Sequence, residues 1–224
     1  MKKITFLIMA ISCTSVCVAQ NTTPDTTKKD RRNVIGIDVT GLAQEFIGFN
    51  SYPYGYPYYG SPYLLQYKRI FHVNALRVGF GGNASKDNGR QNDTLHSARS
   101  RTQFNIGIGF EHYSYLAKRW NLFCGIDAIM NYTNDFYESS RTATTSYSTE
   151  NTNYGYGFSP LLGIQFRINS RMSVATETSF DVTWTRGKST QREVPSTGYD
   201  KDGVGTGFQT QLHAPLGIVF RVMF

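Results

Sequence analysis

The last seventeen residues of the chain, Phe208–Phe224 (FQTQLHAPLGIVFRVMF), decide its fold. Apolar side chains share one face of this stretch: Phe208, Leu212, Ala214, Leu216, Ile218, Phe220, Val222 and Phe224. The other face carries Gln209, Gln211, His213, Gly217 and Arg221. Successive residues of a β-strand point to opposite faces, so a period of two over this length predicts one long strand with an apolar and a polar side.

The same alternation recurs along the chain. Four further stretches show it clearly, near residues 104–111, 122–130, 158–168 and 172–184. Weaker stretches at about 34–47, 62–71 and 75–82 bring the total to eight strands. The sequence therefore predicts an all-β domain.

The connections between these strands alternate in length. Short links fall near residues 72–74, 117–119 and 169–171, and long polar links fall near 48–61, 83–101, 134–152 and 186–204. Short turns at one end and long loops at the other are typical of an outer-membrane barrel. We therefore predict an eight-stranded antiparallel up-and-down transmembrane β-barrel with four extracellular loops and both termini at the periplasmic end. A soluble sandwich or lipocalin-type barrel is the alternative, but its strands are usually shorter.

The N-terminus predicts export. Residues 1–19 have the charged start and short apolar stretch of a signal peptide, with cleavage after Ala19. Residues 20–33 are polar and aperiodic and predict a flexible periplasmic segment, which leaves 34–224 for the barrel. A lipoprotein signal ending at Cys13 or Cys17 is the less fitting alternative. No later apolar run reaches the roughly 18 residues of a membrane-spanning helix.

The charge of the chain is moderately basic. Its formal net charge is +7, and loss of Lys2 and Lys3 with the signal peptide leaves 7 − 2 = +5. Basic residues are dense only at Lys28–Arg32. We therefore predict no nucleic-acid partner.

The two faces of the strands predict different surroundings. If the apolar face meets lipid, the lumen receives a nearly balanced set of charges: Asp38, Lys68, Arg77, Glu111, Asp127, Arg167, Glu177, Asp181, His213 and Arg221. Eight strands enclose a lumen that side chains can fill, so we predict a closed interior with paired charges. Aromatic residues are expected at the two membrane interfaces: Tyr113, Tyr115 and Trp120 at one, and Tyr132, Tyr154, Tyr156 and Trp184 at the other.

These features resemble the small outer-membrane β-barrel proteins of Gram-negative bacteria, of the OmpX and OmpA-barrel type, and especially their Bacteroidetes relatives. The final strand, with Phe220 and Val222 at alternate positions before Phe224, is similar to the recognition signal of the barrel-assembly machinery. The Ala19-Gln20 junction is similar to signal-peptide junctions common in Bacteroidetes. The resemblance implies insertion from the periplasm and contact with outer-membrane lipids and lipopolysaccharide, but it implies no single activity.

Chemistry-bearing motifs are sparse. His112-Tyr113-Ser114 resembles the His-x-Ser element of outer-membrane lipid A deacylases, but Tyr115-Leu116-Ala117 departs from that family's continuation. His72 and His96 are expected in a turn and a loop, which suggests no metal-ligand cluster. We predict no catalytic residue, metal or cofactor.

The first long loop is the most unusual surface. It carries five tyrosines, Tyr52, Tyr54, Tyr56, Tyr58 and Tyr59, which offer wide amphipathic contact area for a carbohydrate, lipid or protein ligand. The alternative is that these rings rest on the barrel rim. Asp93-Thr94-Leu95 and Asp25-Thr26-Thr27 resemble a short O-glycosylation signal of exported Bacteroidetes proteins.

The expected function is non-enzymatic, either structural or in surface interaction. A narrow channel or a carrier of small hydrophobic molecules is the second hypothesis. A lipid A-modifying enzyme is the third.

Overall fold

The chain folds into one antiparallel β-sheet. The computed structural model describes residues 33–40, 63–91, 95–142, 145–194, 201–213 and 217–224. The strands are β1 (Asn33–Asp38), β2 (Leu65–Phe71), β3 (Asn74–Gln91), β4 (Leu95–Ala117), β5 (Trp120–Thr142), β6 (Thr145–Arg167), β7 (Met172–Val194), β8 (Lys201–His213) and β9 (Val219–Met223).

The sheet closes on itself. Strands β1 to β7 pair in sequence order, and β9 pairs with both β7 and β1. Strand β8 pairs with β7 further along, from Ser179 to Gln191, so β8 and β9 occupy one position in the ring. The predicted eight-stranded antiparallel up-and-down barrel is therefore confirmed.

Three tight turns define one end of the barrel, which we call the turn end. His72 and Val73 join β2 to β3, and His72 adopts a φ of 57°. Lys118 and Arg119 join β4 to β5. At the third turn, the Asn169 side chain accepts hydrogen bonds from the amides of Arg171 and Met172 at 2.7 and 2.9 Å. The predicted short links are confirmed, and such local side-chain acceptors are typical of turns.

The chain termini of the barrel also meet at the turn end. The amide of Phe224 donates to the carbonyl of Asn33 at 2.9 Å, and the amide of Asn33 donates to the carbonyl of Phe224 at 3.2 Å. The strand β1 begins at Asn33, which is the last residue of the predicted flexible segment. The predicted signal peptide lies outside the described residues.

The prediction that long polar links occupy 83–101, 134–152 and 186–204 is wrong over most of their length, because these residues are paired strand. Strands β4, β5, β6 and β7 each run for 23 residues, and the paired register continues to Gln91–Leu95 and Thr142–Thr145. We call residues 83–91, 95–103, 133–142, 145–153, 185–194 and 201–207 the hairpin extension. Its strands pair with their neighbours from β3 to β8. Polar residues predominate on both faces, so no hydrophobic period of two is visible. The predicted loop at 48–61 lies outside the described residues.

Candidate functional site

A cluster of six charged side chains fills the barrel interior. The structure brings together six of the predicted lumen residues, Lys68, Arg77, Glu111, Asp127, Glu177 and Arg221, and each is at most 8 % exposed. We call them the lumen ion cluster. Three are cations and three are anions, so the formal charges sum to zero (3 − 3).

Arg77 is the centre of this cluster. Its guanidinium lies 2.6 Å from Glu111 Oε1, 3.2 Å from Asp127 Oδ2 and 3.0 Å from Glu177 Oε1. This one side chain thereby connects four strands, β3, β4, β5 and β7. The planar, multiply donating guanidinium suits such a position because it can contact several carboxylates at fixed angles.

Lys68 on β2 and Arg221 on β9 complete the cluster. Lys68 Nζ lies 2.6 Å from Glu111 Oε1, and Arg221 Nη2 lies 3.4 Å from Glu177 Oε2. Both cations also lie over the Phe123 ring, at 5.0 and 4.9 Å from its centroid. Buried charges are tolerated when they are paired and hydrogen-bonded in this way.

The remaining predicted lumen charges lie elsewhere. Asp181 pairs with His213 Nε2 at 3.0 Å and accepts a hydrogen bond from Ser159, which forms a separate group nearer the hairpin extension. Arg167 lies at the turn end, where its guanidinium donates to the carbonyl of Lys118 at 3.4 Å. Asp38 accepts hydrogen bonds from the amide and hydroxyl of Thr40.

Tyr113 is a correction to the predicted interfacial aromatics. Its hydroxyl donates to Glu111 Oε2 at 2.8 Å, and its ring packs with Phe123, Leu161 and Ala175. It therefore faces the lumen on the turn-end side of the ion cluster. The period of two places it on the same face as Glu111, so the signal was present in the sequence.

Tyr63 is an interior residue that the sequence reasoning missed. It is 3 % exposed, and its ring lies over Gly79 and Gly107, where any Cβ would collide with it. Arg77 Cζ lies 5.6 Å from the ring centroid. Tyr63 covers the ion cluster on one side while Phe123 covers it on the other. The glycines at positions 79 and 107 are the only sequence sign of this filled space.

The outer face of the barrel is apolar between two sets of aromatic rings. Ile108, Ile126 and Met130 are about half exposed, at 52, 51 and 51 %. Toward the turn end lie the exposed Tyr115 and Trp120, and the Trp120 ring packs against Phe166 at 4.8 Å. Toward the hairpin extension lie Tyr132, Tyr154, Tyr156, Trp184 and Phe208, which contact one another in pairs. We call these two sets the turn-side and the extension-side aromatics.

A polar cleft lies on the inner face of the hairpin extension, beyond the extension-side aromatics. It has a volume of about 350 Å³ and is lined by Arg99, Asp135, Tyr137, Thr149 and Asn151. Arg99 donates two hydrogen bonds to the Asp135 carboxylate, from Nε to Oδ1 at 3.1 Å and from Nη2 to Oδ2 at 2.6 Å. The hydrogen bond from Arg99 lowers the pKa of Asp135 below its ordinary value of 3.8.

The remaining predicted sites lie at the final strand, near the turn end or outside the described residues. Phe220, Val222 and Phe224 lie on the outer face of the final strand, which closes the ring between β1 and β7. His112 lies near the turn end, where its Nδ1 contacts Asn74 Oδ1 at 2.8 Å. The tyrosines Tyr52, Tyr54, Tyr56, Tyr58 and Tyr59, and the candidate glycosylation sites Thr26 and Thr94, lie outside the described residues.

Within the described part of the chain, no group of three or more His, Cys, Asp or Glu side chains could hold a metal ion. In the same part, no helix is long and apolar enough to cross a membrane. No protein-family model matches the chain, and no curated protein or solved structure shows significant similarity to it.

Proposed function

We propose that the chain is an integral outer-membrane β-barrel protein with a closed lumen and a structural or surface-interaction role. The observation that carries the proposal is the inverted arrangement of its side chains. Charges pair inside the barrel, while large apolar side chains cover its outside. Soluble proteins rarely expose a continuous apolar band of this kind, whereas a bilayer requires one.

The height of the apolar band supports this proposal. On β6, ten residue steps separate Phe166, which packs against Trp120, from the extension-side aromatic Tyr156. At about 3.4 Å per residue and a strand tilt of about 40°, ten steps rise roughly 26 Å. That rise fits the hydrocarbon core faced by outer-membrane barrels, with the aromatic rings at its two borders.

The proposed orientation follows from the connections. Short turns of such barrels face the periplasm, so the hairpin extension would project from the cell surface. The outer-membrane lipids and lipopolysaccharide are then the neighbours of the apolar band. The barrel-assembly machinery would recognise the final strand during insertion.

The filled lumen favours the structural role over the channel or carrier. The ion cluster, Tyr63 and Phe123 occupy the interior at successive levels, and each of these side chains is buried. A continuous water path through these levels would require breaking several ion pairs at once. We therefore expect no stable ion conductance.

The enzyme hypothesis finds no support in the geometry of the His112 region. His112 lies at the turn end, which the proposed orientation places at the periplasmic interface, away from outer-leaflet lipid A. Its Nδ1 is engaged by Asn74. We propose that His112 has a structural role in tying β3 to β4.

Two measurements test the proposed function. The protein extracted from outer membranes should migrate faster on SDS gels before boiling than after, as a folded barrel does, and planar bilayers containing it should show no discrete single-channel steps. Recovery in the soluble periplasmic fraction would overturn the membrane assignment. Regular conductance steps would instead overturn the closed lumen.

A further inference from the structure

We propose that the polar cleft of the hairpin extension is a binding site for a neutral saccharide. The proposal rests on the proposed function, because that function places the cleft at the cell surface. It goes further by assigning a ligand class and a set of residues to a surface that the strand pattern alone leaves undefined.

The polar groups that line the cleft are of the types that bind sugar hydroxyls. In the strand register, Arg99, Tyr137 and Thr149 form one row across β4, β5 and β6, and Arg101, Asp135 and Asn151 form the next. Guanidinium, carboxylate and amide groups present pairs of donors or acceptors in one plane. Neighbouring hydroxyls of a sugar ring offer matching pairs, because each hydroxyl both donates and accepts.

The charge of the cleft favours an uncharged ligand. Arg99 and Asp135 neutralise each other through two contacts. Arg101 and Asp87, which lie beside them in the strand register, bring the four formal charges to zero (2 − 2). Without a net charge, the cleft offers no net attraction to an anion or a cation. The same paired groups keep free donor and acceptor positions that are fixed in direction, which reduces the entropy lost on binding.

Tyr137 provides the apolar contact that a sugar ring needs. Its side chain is 40 % exposed although it lies beside the polar lining of the cleft. A tyrosine ring offers a rigid, amphipathic surface with few rotatable bonds. The C–H groups of a sugar can pack on such a ring while its hydroxyls reach Asp135 and Asn151.

Outside the cleft, small residues on β8 keep the interior of the extension open. On β8, inward-facing positions are occupied by Gly203, Gly205 and Gly207, and a Cβ at Gly203 or Gly205 would meet nothing within 4 Å. These glycines are therefore not required by close packing. A cleft of about 350 Å³ lies at the lower end of the range for small-molecule sites and suits one or two sugar rings.

The test uses the full-length protein in detergent micelles and four soluble disaccharides: maltose, lactose, cellobiose and chitobiose. We expect isothermal titration calorimetry to detect binding of at least one of them. Disaccharide concentrations up to about 10 mM allow weak complexes to be detected. Tyr137→Ala and Asp135→Ala should each weaken that binding about tenfold or more, which corresponds to about 1.4 kcal/mol.

The matched control is Tyr132→Ala, which removes a tyrosine from the opposite face of the same strand. It should leave disaccharide affinity unchanged. Each variant must keep its heat-dependent gel shift, which reports an intact barrel.

Two results would overturn the saccharide site. One is no binding of any of the four disaccharides to a protein that shows the gel shift. The other is equal affinity in wild type and Tyr137→Ala, which would place the bound sugar elsewhere. Either result leaves the barrel proposal standing, whereas loss of the gel shift in the wild-type protein would count against the proposed function itself.

Discussion

The ring of Phe123 lies where a side chain at position 163 would otherwise point. A Cβ built on Gly163 would stand 2.7 Å from both Cε atoms of that ring, and Phe123 is fully buried. The ring in turn supports Lys68 and Arg221. One glycine on β6 thus makes room for the aromatic floor of the lumen ion cluster.

Replacing Gly163 with alanine should therefore destabilise the barrel. The buried Phe123 ring has no space to retreat, and overpacking of this kind costs about 1–3 kcal/mol. Urea unfolding in detergent or lipid vesicles, followed by tryptophan fluorescence, measures the loss. Gly205→Ala is the matched control, because its Cβ meets nothing, and it should leave stability unchanged or raise it by about 0.4–1 kcal/mol. Equal effects of the two substitutions would contradict the packing argument.

Removal of the central cation of the cluster should lower the free energy of unfolding more than removal of a surface cation does. Arg77→Met leaves Glu111, Asp127 and Glu177 buried without their shared partner, and breaking a buried ion pair from one side typically costs about 3–5 kcal/mol. The exposed Lys188 on β7 serves as control, and Lys188→Met should change the free energy of unfolding by less than about 0.5 kcal/mol. A loss below about 1 kcal/mol for Arg77→Met would show that the ion cluster is not a unit.

The strand pattern could be predicted from sequence where the two faces meet different surroundings. Ile106, Ile108 and Phe110 alternate with glycines and Glu111, so their period of two is visible without coordinates. The short turns follow from the same pattern, because the alternation stops and restarts within a few residues. All six members of the ion cluster could also be predicted from sequence, since each is a charged residue on the polar face of a strand.

The hairpin extension could not be predicted in this way. Residues such as Ser100, Thr102 and Thr152 alternate with other polar residues, so neither face of the strand stands out. The strands there are held by backbone pairing, which leaves little trace in composition. Tyr63 was missed because its place depends on glycines of two other strands. Arg167 is the last residue of β6, so it lies at the turn end and outside the ion cluster.

The Arg99–Asp135 pair should withstand mild acid. Arg99 lowers the pKa of Asp135 in the folded state. The stability that the Asp135 carboxylate contributes is therefore present above its unfolded-state pKa and is lost only as the pH falls through its lower folded-state pKa. We expect the carboxyl carbon of Asp135 to titrate in NMR spectra with a midpoint below 3.8, and Arg99→Gln to move that midpoint toward 3.8. A wild-type midpoint at or above 3.8 would show that the pair does not persist in solution.

We predict above all that the apolar band between the two aromatic sets spans a bilayer. The chain has two tryptophans, Trp120 and Trp184, and they stand at opposite borders of that band. Variants with one tryptophan replaced by phenylalanine isolate each reporter in vesicles made with lipids brominated at different acyl-chain depths. We expect quenching of both tryptophans that is strongest with shallow bromines, since both rings lie at the proposed interfaces. Quenching of neither tryptophan, or quenching of both that is strongest at the bilayer centre, would contradict it.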